Sequence, residues 1–383
     1  MTNELRGARV LVTGATGFIG GRLVERLVRE QGATVRALVR NFANAPRIAR
    51  FAIEMMAGDL LSPDVLDRAV DGCDVVFHCA YGAMGTDAER RVVNVQGTER
   101  VLAAALAHRC RRVVHVSTMS VYGDPASGDI DETAPRRYTG SAYGDSKIDG
   151  ENLALGYCDQ GLSVAVVQPT IVYGPWALTW TIKPLQQLQT GRVILVNDGS
   201  GTCNPVYIDD VVSAMIEAAR SPEAHKQAFL ISGDQPVTWR EFFERYQRML
   251  PGSATVSMTP DEAAAHFATF EPKGFLSESA RVLKREVRKR EALIRERLVP
   301  TRSGRLALEV AEQLSLLPRA GEAAAHVDEP PIHPLAPSKV PMFAAQARFR
   351  CEKAARLLGY RPAFDLDRGM AMTEQWARWA NAI

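Results

Sequence analysis

Tyr143 and Lys147 stand four residues apart in Ser141-Ala142-Tyr143-Gly144-Asp145-Ser146-Lys147, a spacing that puts a phenol and an ammonium on one face of a helix. Such a pair can move a proton. A free phenol titrates near 10 and is a poor base at neutral pH. A nearby ammonium, joined by the positive charge of an oxidised nicotinamide, favours phenolate and lowers that value. Each unit is worth about 1.4 kcal/mol, so reaching neutrality asks for roughly 3–4 kcal/mol from those charges. A third group should hydrogen-bond the reacting oxygen. The candidates lie in Val116-Ser117-Thr118-Met119-Ser120-Val121-Tyr122-Gly123, at the end of a strand.

A nicotinamide enters the argument because of the N-terminus, where Gly14, Gly17 and Gly20 follow a short apolar strand and open a helix. Glycine is needed where the chain turns tightly and where a Cβ would block a pyrophosphate. The amides and positive end of the next helix then face the phosphates. The second strand ends Ala37-Leu38-Val39-Arg40, without the acid that usually accepts both ribose hydroxyls of NAD. Arg40 is suited to a 2′-phosphate instead, which favours NADP(H) over NAD(H). Asp59, in Gly58-Asp59-Leu60, is placed to meet the adenine edge, and His78-Cys79-Ala80 should line the pyrophosphate and ribose.

The elements that must position these groups alternate regularly. Strands are expected at 8–13, 34–39, 54–56, 74–79, 112–117 and 163–168, and helices at about 20–30, 87–107 and around Tyr143. That alternation means βαβ units and a doubly wound parallel sheet, an α/β fold. Residues 1–175 read as the dinucleotide-binding domain, with elements to about 250 shared between lobes. Residues 176–383 read as mainly a smaller substrate lobe with a helical insertion at 260–340. Within it, 276–306 carries roughly ten Lys/Arg against four Glu on an expected amphipathic helix. Its apolar stripe suits packing on its own lobe, a dimer contact or an anionic membrane surface. A second helix is expected near 305–316. Pro330, Pro331, Pro334, Pro337 and Pro341 then read as an extended linker.

On these motifs the chain resembles the extended short-chain dehydrogenase/reductase family, also called the NAD-dependent epimerase/dehydratase family. The resemblance covers about residues 8–250 and resumes near 343–383. It rests on the glycine turn, Asp59, His78-Cys79-Ala80, Asn94-Val95-Gln96-Gly97-Thr98, the Ser/Thr strand end and Tyr143/Lys147. Val172-Tyr173-Gly174-Pro175 and Asn204 with Val206-Tyr207-Ile208-Asp209-Asp210-Val211 complete it. It implies a Rossmann-type sheet, a catalytic hydroxyl on Thr118, and a Lys147 that also holds the nicotinamide ribose. It places Gly14, Thr16, Gly17, Phe18, Ile19, Arg40, Asp59, Leu60, Cys79, Ala80, Tyr81 and Asn94 on the cofactor, along with Tyr143 and Lys147. Pro169, Ile171 and Val172 are expected beside the nicotinamide. Tyr81, Ser120, Trp176, Trp180 and Asn204 are expected to line a substrate pocket between the sheet's C-terminal edge and the smaller lobe.

Three departures bear on the substrate. Gln168 stands where nucleotide-sugar members usually have Arg, and Cys203 stands where they usually place the Arg that clamps the substrate diphosphate. Cysteine cannot replace a bidentate Arg–phosphate contact, and Arg348 and Arg350 are the nearest substitutes. Met119 and Ser120 occupy the positions of an Asp-Glu pair normal in 4,6-dehydratases. A nucleotide-sugar epimerase or reductase is the first reading. An NADPH-linked reductase or dehydrogenase of a non-nucleotide ketone or alcohol, lipidic ones included, is the alternative. A non-catalytic scaffold fits poorly with intact Thr118, Tyr143 and Lys147.

Composition excludes little but agrees. With 46 Lys+Arg against 44 Asp+Glu in 383 residues, charge gives no general argument for nucleic-acid binding. No run approaches the roughly 18 apolar residues of a membrane span, and the N-terminus lacks a signal-peptide core. The six cysteines have no zinc-like spacing, so no metal is expected and the thiols read as reduced. A cytoplasmic homodimer acting on a small molecule is the expectation.

Overall fold

The computed structural model describes residues 5–270 and 330–383. The basic stretch 276–306 and the expected helix at 305–316 lie outside the described residues. Seven parallel strands form the central sheet, in the order Gln227–Ile231, Val164–Pro169, Arg112–Val116, Val75–His78, Arg9–Thr13, Thr34–Val39, Glu54–Ala57. The chain runs outward from Arg9–Thr13 to one edge, then returns and builds toward the other. The C-terminal ends of Arg9–Thr13 and Val75–His78 therefore flank a switch point, where ligands settle in such sheets.

The central strands are buried on both faces and read as near-continuous apolar runs, such as Val75-Val76-Phe77 and Val164-Ala165-Val166-Val167. One layer of core joins Val10, Val12, Leu23, Phe77 and Val167 with the helix Ile208–Arg220; the other joins Leu11, Val76, Leu102 and Val166. Helix Asp87–Ala107 opens on a capping box between Thr86 and Glu89, and helix Ala142–Gly156 is capped by Ser141 through the Gly144 amide. The first helix begins at Phe18, earlier than the sequence suggests, and loosens at Leu27 into a wider turn that ends on Gly32. Arg22 grips Asp209 with two hydrogen bonds of 2.5 and 2.9 Å, fastening this helix to Ile208–Arg220.

The smaller lobe is assembled from short pairings between distant segments. Ser127–Ile130 pairs with Gln346–Phe349, Ile171–Tyr173 with Pro205–Tyr207, and Arg192–Val196 with Ala254–Met258. An aromatic cluster fills it, with Trp239 4.4 Å from Phe343 and 5.3 Å from Trp180 between ring centroids. The Pro-rich segment is not a free linker over its described part. Arg192 donates to the Pro331 carbonyl, His333 donates back to Arg192, and Val340–Ala344 is helical. Prolines there remove donors that the lobe does not need, while the remaining amides still add a bridge to its edge. Among the described residues no helix is long and apolar enough to cross a membrane.

Candidate active site

The glycine turn is a cradle that a side chain would fill. Gly14 has φ +66°, and a Cβ there would lie 2.6 Å from the Ala80 nitrogen. A Cβ on Gly20 would lie 2.3 Å from the Gly14 carbonyl oxygen. Helix Phe18–Arg26 starts from Gly17 with no side-chain cap and no acid in its first turn. Its first amides and positive end are therefore left to an anion. This fits the pyrophosphate of a dinucleotide, with Thr16, Gly17, Phe18 and Ile19 around it. Arg40 is exposed at the end of Thr34–Val39, beside Gly58, whose amide bonds the Val39 carbonyl. Asp59 follows at once and accepts from the Leu61 amide at 2.8 Å, while Leu60 is buried.

Beneath the turn runs a chain of hydrogen bonds that the sequence does not reveal. His78 is 2 % exposed, so it lies beneath the surface on which a cofactor is expected rather than lining it. Its Nδ1 is 2.7 Å from the Thr13 hydroxyl and its Nε2 is 2.9 Å from the Thr98 hydroxyl. Thr98 gives its own proton to the Asn94 carbonyl at 2.6 Å, so the imidazole must donate from Nε2 and accept at Nδ1. Burial holds His78 down to about 3, and it stays neutral. Asn94 in turn accepts from the Gly82 amide and donates to Ser146, whose hydroxyl donates to the Tyr143 carbonyl. Asn94 thus spends its amide on fastening the loop after Val75–His78 to helix Ala142–Gly156. Cys79, Ala80 and Tyr81 are carried on that loop.

Thr118 follows the strand Arg112–Val116 by two residues in extended conformation and accepts from the Ser120 amide at 3.2 Å. Its hydroxyl is near enough to that of Tyr143 to favour the ionised phenol, and Ser120 Oγ lies 3.3 Å from Thr118 Oγ1. Lys147 is buried and donates to the Val116 carbonyl at 2.9 Å, which ties the helix to the same strand end. Its ammonium also sits 5.6 Å from the centre of the Tyr81 ring, and that ring meets Tyr143 edge-on at 5.0 Å. The expected catalytic hydroxyl, phenol and amine therefore converge.

The electrostatics are those of the protein groups alone. Tyr143 is raised above the ordinary phenol range by burial of its hydroxyl, partly offset by the Thr118 hydrogen bond, with Tyr81 adding to the rise. The residue as a whole keeps 37 % of its surface open. Lys147 is not among the groups that shift the phenol here, and one of its three N–H groups is spent on the Val116 carbonyl. Burial lowers Lys147 to about 8, with Cys79 and Glu151 opposing the shift. A neutral phenol is what an acid needs to protonate an alkoxide.

This gives a pH prediction with a definite sign. The folded value of Lys147 lies below the ordinary 10.5, so between about pH 8 and 10.5 the unfolded chain holds the extra proton and this group's contribution to stability rises with pH. Lys147→Met should remove that rise in urea melts at pH 7.5 and 9.5, and should lower turnover sharply. An unchanged pH dependence of the midpoint would place the Lys147 proton elsewhere.

One residue beyond Thr118 the surface folds into a pocket against the smaller lobe. Met119, Ile171, Trp239, Met342, Ala347 and Phe349 supply half of its wall, and Asp124, Thr202 and Asn204 are among the others. No Lys, Arg or His lines it. Of the five expected substrate residues, Asn204 reaches this pocket, but its amide is bonded to the Ala347 carbonyl and the Phe349 amide and so docks the C-terminal strand. Trp180 stands behind Trp239, and Tyr81 and Ser120 stand beside Tyr143 and Thr118. Trp176, at φ +72°, turns outward against Trp376 and Arg47. Cys203 is fully buried and its thiol is raised well above the usual range, so it is uncharged. Alternation along Gln346–Phe349 puts Ala347 and Phe349 on the pocket and Arg348 on the other face, where it is exposed. Arg350 is taken up by Glu352 and Asp129 on an exposed surface. Pro169 ends its strand, and Ile171 and Val172 pair with the strand Pro205–Tyr207, leaving Ile171 to link the two halves of the site. The wall residues Trp239, Met342 and Phe349 escaped the sequence reading; only the period-two alternation around Phe349 hinted at one of them.

Residues 10–232 match the NAD dependent epimerase/dehydratase family, and the chain belongs to it. It is an NAD(P)-dependent enzyme of the extended short-chain dehydrogenase/reductase type. The chain is 33% identical over 262 residues to a 4-hydroxy-2-methyl-3-oxo-4-farnesyl-3,4-dihydroquinoline-1-oxide ketoreductase of Stigmatella aurantiaca, covering 67% of this chain and 77% of that one. It is 32% identical over 243 residues to a 2-alkyl-3-oxoalkanoate reductase of Stenotrophomonas maltophilia, covering 61% and 73%. Among solved structures, UDP-glucuronic acid 4-epimerase from Bacillus cereus in complex with NAD has the same fold, with TM-score 0.68, 19% identity and coverage of 97% of this chain and 99% of that one.

Proposed function

We propose that this enzyme is an NADP(H)-dependent reductase or dehydrogenase acting on an apolar ketone or secondary alcohol. The observation that carries this reading is the wall beyond Thr118, where Asp124, Thr202 and Asn204 interrupt apolar residues and no Lys, Arg or His is present. A nucleotide diphosphate brought there would lose its hydration with no Arg or Lys to replace it. An alkyl or polycyclic substrate has no charge to desolvate and gains roughly 25 cal/mol for each Å² of apolar surface it buries. The names of the ketoreductase and oxoalkanoate reductase relatives point the same way. This reverses the order of the two readings that the sequence motifs suggest.

In this reading the substrate oxygen lies between the hydroxyls of Thr118 and Tyr143. Thr118 donates a hydrogen bond that orients the carbonyl, and Tyr143 gives its proton to the oxygen as negative charge develops there. Lys147 stabilises the phenolate that Tyr143 leaves behind. A nicotinamide, when bound, supplies the hydride to the carbonyl carbon or takes it in the reverse direction. Gly14, Gly17 and the start of helix Phe18–Arg26 would hold its pyrophosphate, with Ile171 and Val172 packed beside its ring.

The test is consumption of NADPH, read at its nicotinamide absorbance, with a panel of long-chain 3-oxo esters and cyclic ketones set against UDP- and dTDP-sugars. Turnover of apolar ketones is expected. Turnover or thermal stabilisation by nucleotide sugars alone would overturn the reading. Cofactor choice is tested separately. Arg40→Ala should weaken NADPH binding about tenfold or more and leave NADH nearly untouched. Equal losses for both cofactors, or a wild-type preference for NADH, would remove the 2′-phosphate from the account.

A further inference from the structure

The strip of chain from Arg136 to Gly140, which enters the catalytic helix, is bound along its whole length. Thr139 and Gly140 donate their amides to Asp145, each at 3.0 Å, and the Tyr138 hydroxyl donates to Asp149 at 2.9 Å. The Arg137 amide donates to the Val121 carbonyl at 2.9 Å. Arg136 goes deepest: its Nε meets Glu151 Oε2 at 2.5 Å, on the buried side of the same helix. Three helix acids thus receive one short strap.

Glu151 is fully buried, and a carboxylate in that place needs both a cation and hydrogen bonds. Its second oxygen accepts from Gln168 Nε2 at 2.8 Å, and Gln168 Oε1 accepts from the Tyr122 hydroxyl at 2.8 Å. Tyr122 belongs to the turn Met119–Tyr122 that Thr118 caps. One network therefore joins the strap, the helix that carries Tyr143, the strand end at Gln168 and the turn that carries Thr118. Among the described residues Arg136 is the cation paired with Glu151. An arginine at position 168 could neutralise Glu151 from the strand and leave the strap uninvolved. With glutamine there, the charge comes from the strap, and holding Glu151 ionised also holds the strap down.

We propose that Arg136 is a positioning residue, whose ion pair with Glu151 locks the strap 136–140 and keeps the Tyr143 helix and the Thr118 turn in register. This rests on the assignment of Tyr143 and Thr118 as acting groups but not on the class of substrate.

The experiment separates the charge from the lock. Arg136→Met leaves Glu151 unpaired, and the double variant Arg136→Met/Gln168→Arg returns a cation to it from beneath. Three quantities are read: the thermal midpoint, amide hydrogen exchange over 139–147 without substrate, and kcat and KM with whichever substrate is turned over. Arg136→Met is expected to lower the midpoint, speed exchange over 139–147 at least tenfold and lower kcat about tenfold, with the KM for NADPH unchanged. The double variant should regain the midpoint while exchange and kcat stay near those of Arg136→Met. Recovery of all three together would show that Glu151 needs only a cation, and the lock would be refuted. Wild-type exchange in Arg136→Met would refute it equally. Should the double variant not fold, Arg136→Met/Glu151→Gln replaces it, since that pair removes the buried charge and the lock together and is judged by the same exchange and kcat values. Exchange is measured without substrate, so an error in the substrate reading cannot pass for a failure of this one.

Discussion

Tyr143→Phe is expected to lower kcat at least a hundredfold while leaving the dissociation constant for NADP(H) within about twofold. The hydroxyl removed is the one beside Thr118, and burial favours its proton-bearing form. A hundredfold loss corresponds to roughly 2.7 kcal/mol of transition-state stabilisation, a modest demand on a general acid in a protein interior. Phenylalanine keeps the ring that meets Tyr81 edge-on at 5.0 Å, so the loop after Val75–His78 has no reason to move. Tyr81→Phe is the control. It retains the same ring contact and the face that Lys147 approaches, and should cost far less. Activity above about a tenth of wild type in Tyr143→Phe, or equal losses in the two variants, would take the proton-transfer role away from Tyr143.

What could be read from the sequence was what depends on neighbours along the chain. Tyr143 and Lys147 share a helical face by spacing alone, and the glycine turn announces itself between a strand and a helix. The parallel sheet follows from the alternation of elements. Thr118 needed more, because three hydroxyl residues crowd that strand end and only the family register chose among them. The substrate wall lay beyond such reasoning. Phe349 reaches it because Gln346–Phe349 pairs with Ser127–Ile130, more than two hundred residues earlier, and no local pattern encodes that pairing. Trp176 misled for a related reason. An apolar residue after a strand can face either side, and a left-handed backbone at φ +72° sent this one toward Trp376. The orientation of Lys147 toward Tyr143 lay at a finer level. Spacing brings the two residues together, but not the direction of an ammonium that donates to the Val116 carbonyl instead. Arg136 gave no signal, since an arginine before a helix is ordinary until Glu151 is seen to be buried beneath it.

The cofactor cradle supports a second large effect, and its geometry provides its own control. Gly14→Val should weaken NADP(H) binding more than a hundredfold and lower the thermal midpoint by several degrees. Two costs combine at this position. At φ +66° any side chain is strained, by roughly 1–2 kcal/mol. A Cβ would also lie 2.6 and 2.7 Å from the nitrogen and Cα of Ala80. Those are backbone atoms on a loop that cannot retreat freely, because the Cys79 amide is bonded to the Thr13 carbonyl and the Gly82 amide to Asn94. The loop would have to shift, carrying Cys79, Ala80 and Tyr81 with it, and the anion-binding start of helix Phe18–Arg26 would lose its shape. Gly7 separates the two costs, for it has φ +75° with nothing within 4 Å of the added Cβ. Gly7→Val should therefore lower the midpoint by the strain alone and bind the cofactor as wild type does. Fluorescence titration of NADPH on both variants decides the matter. If Gly14→Val binds within threefold of wild type, the turn is only a tight connection between strand and helix, and the pyrophosphate must be held elsewhere. If both variants lose the cofactor equally, the loss follows from general destabilisation and not from the cradle.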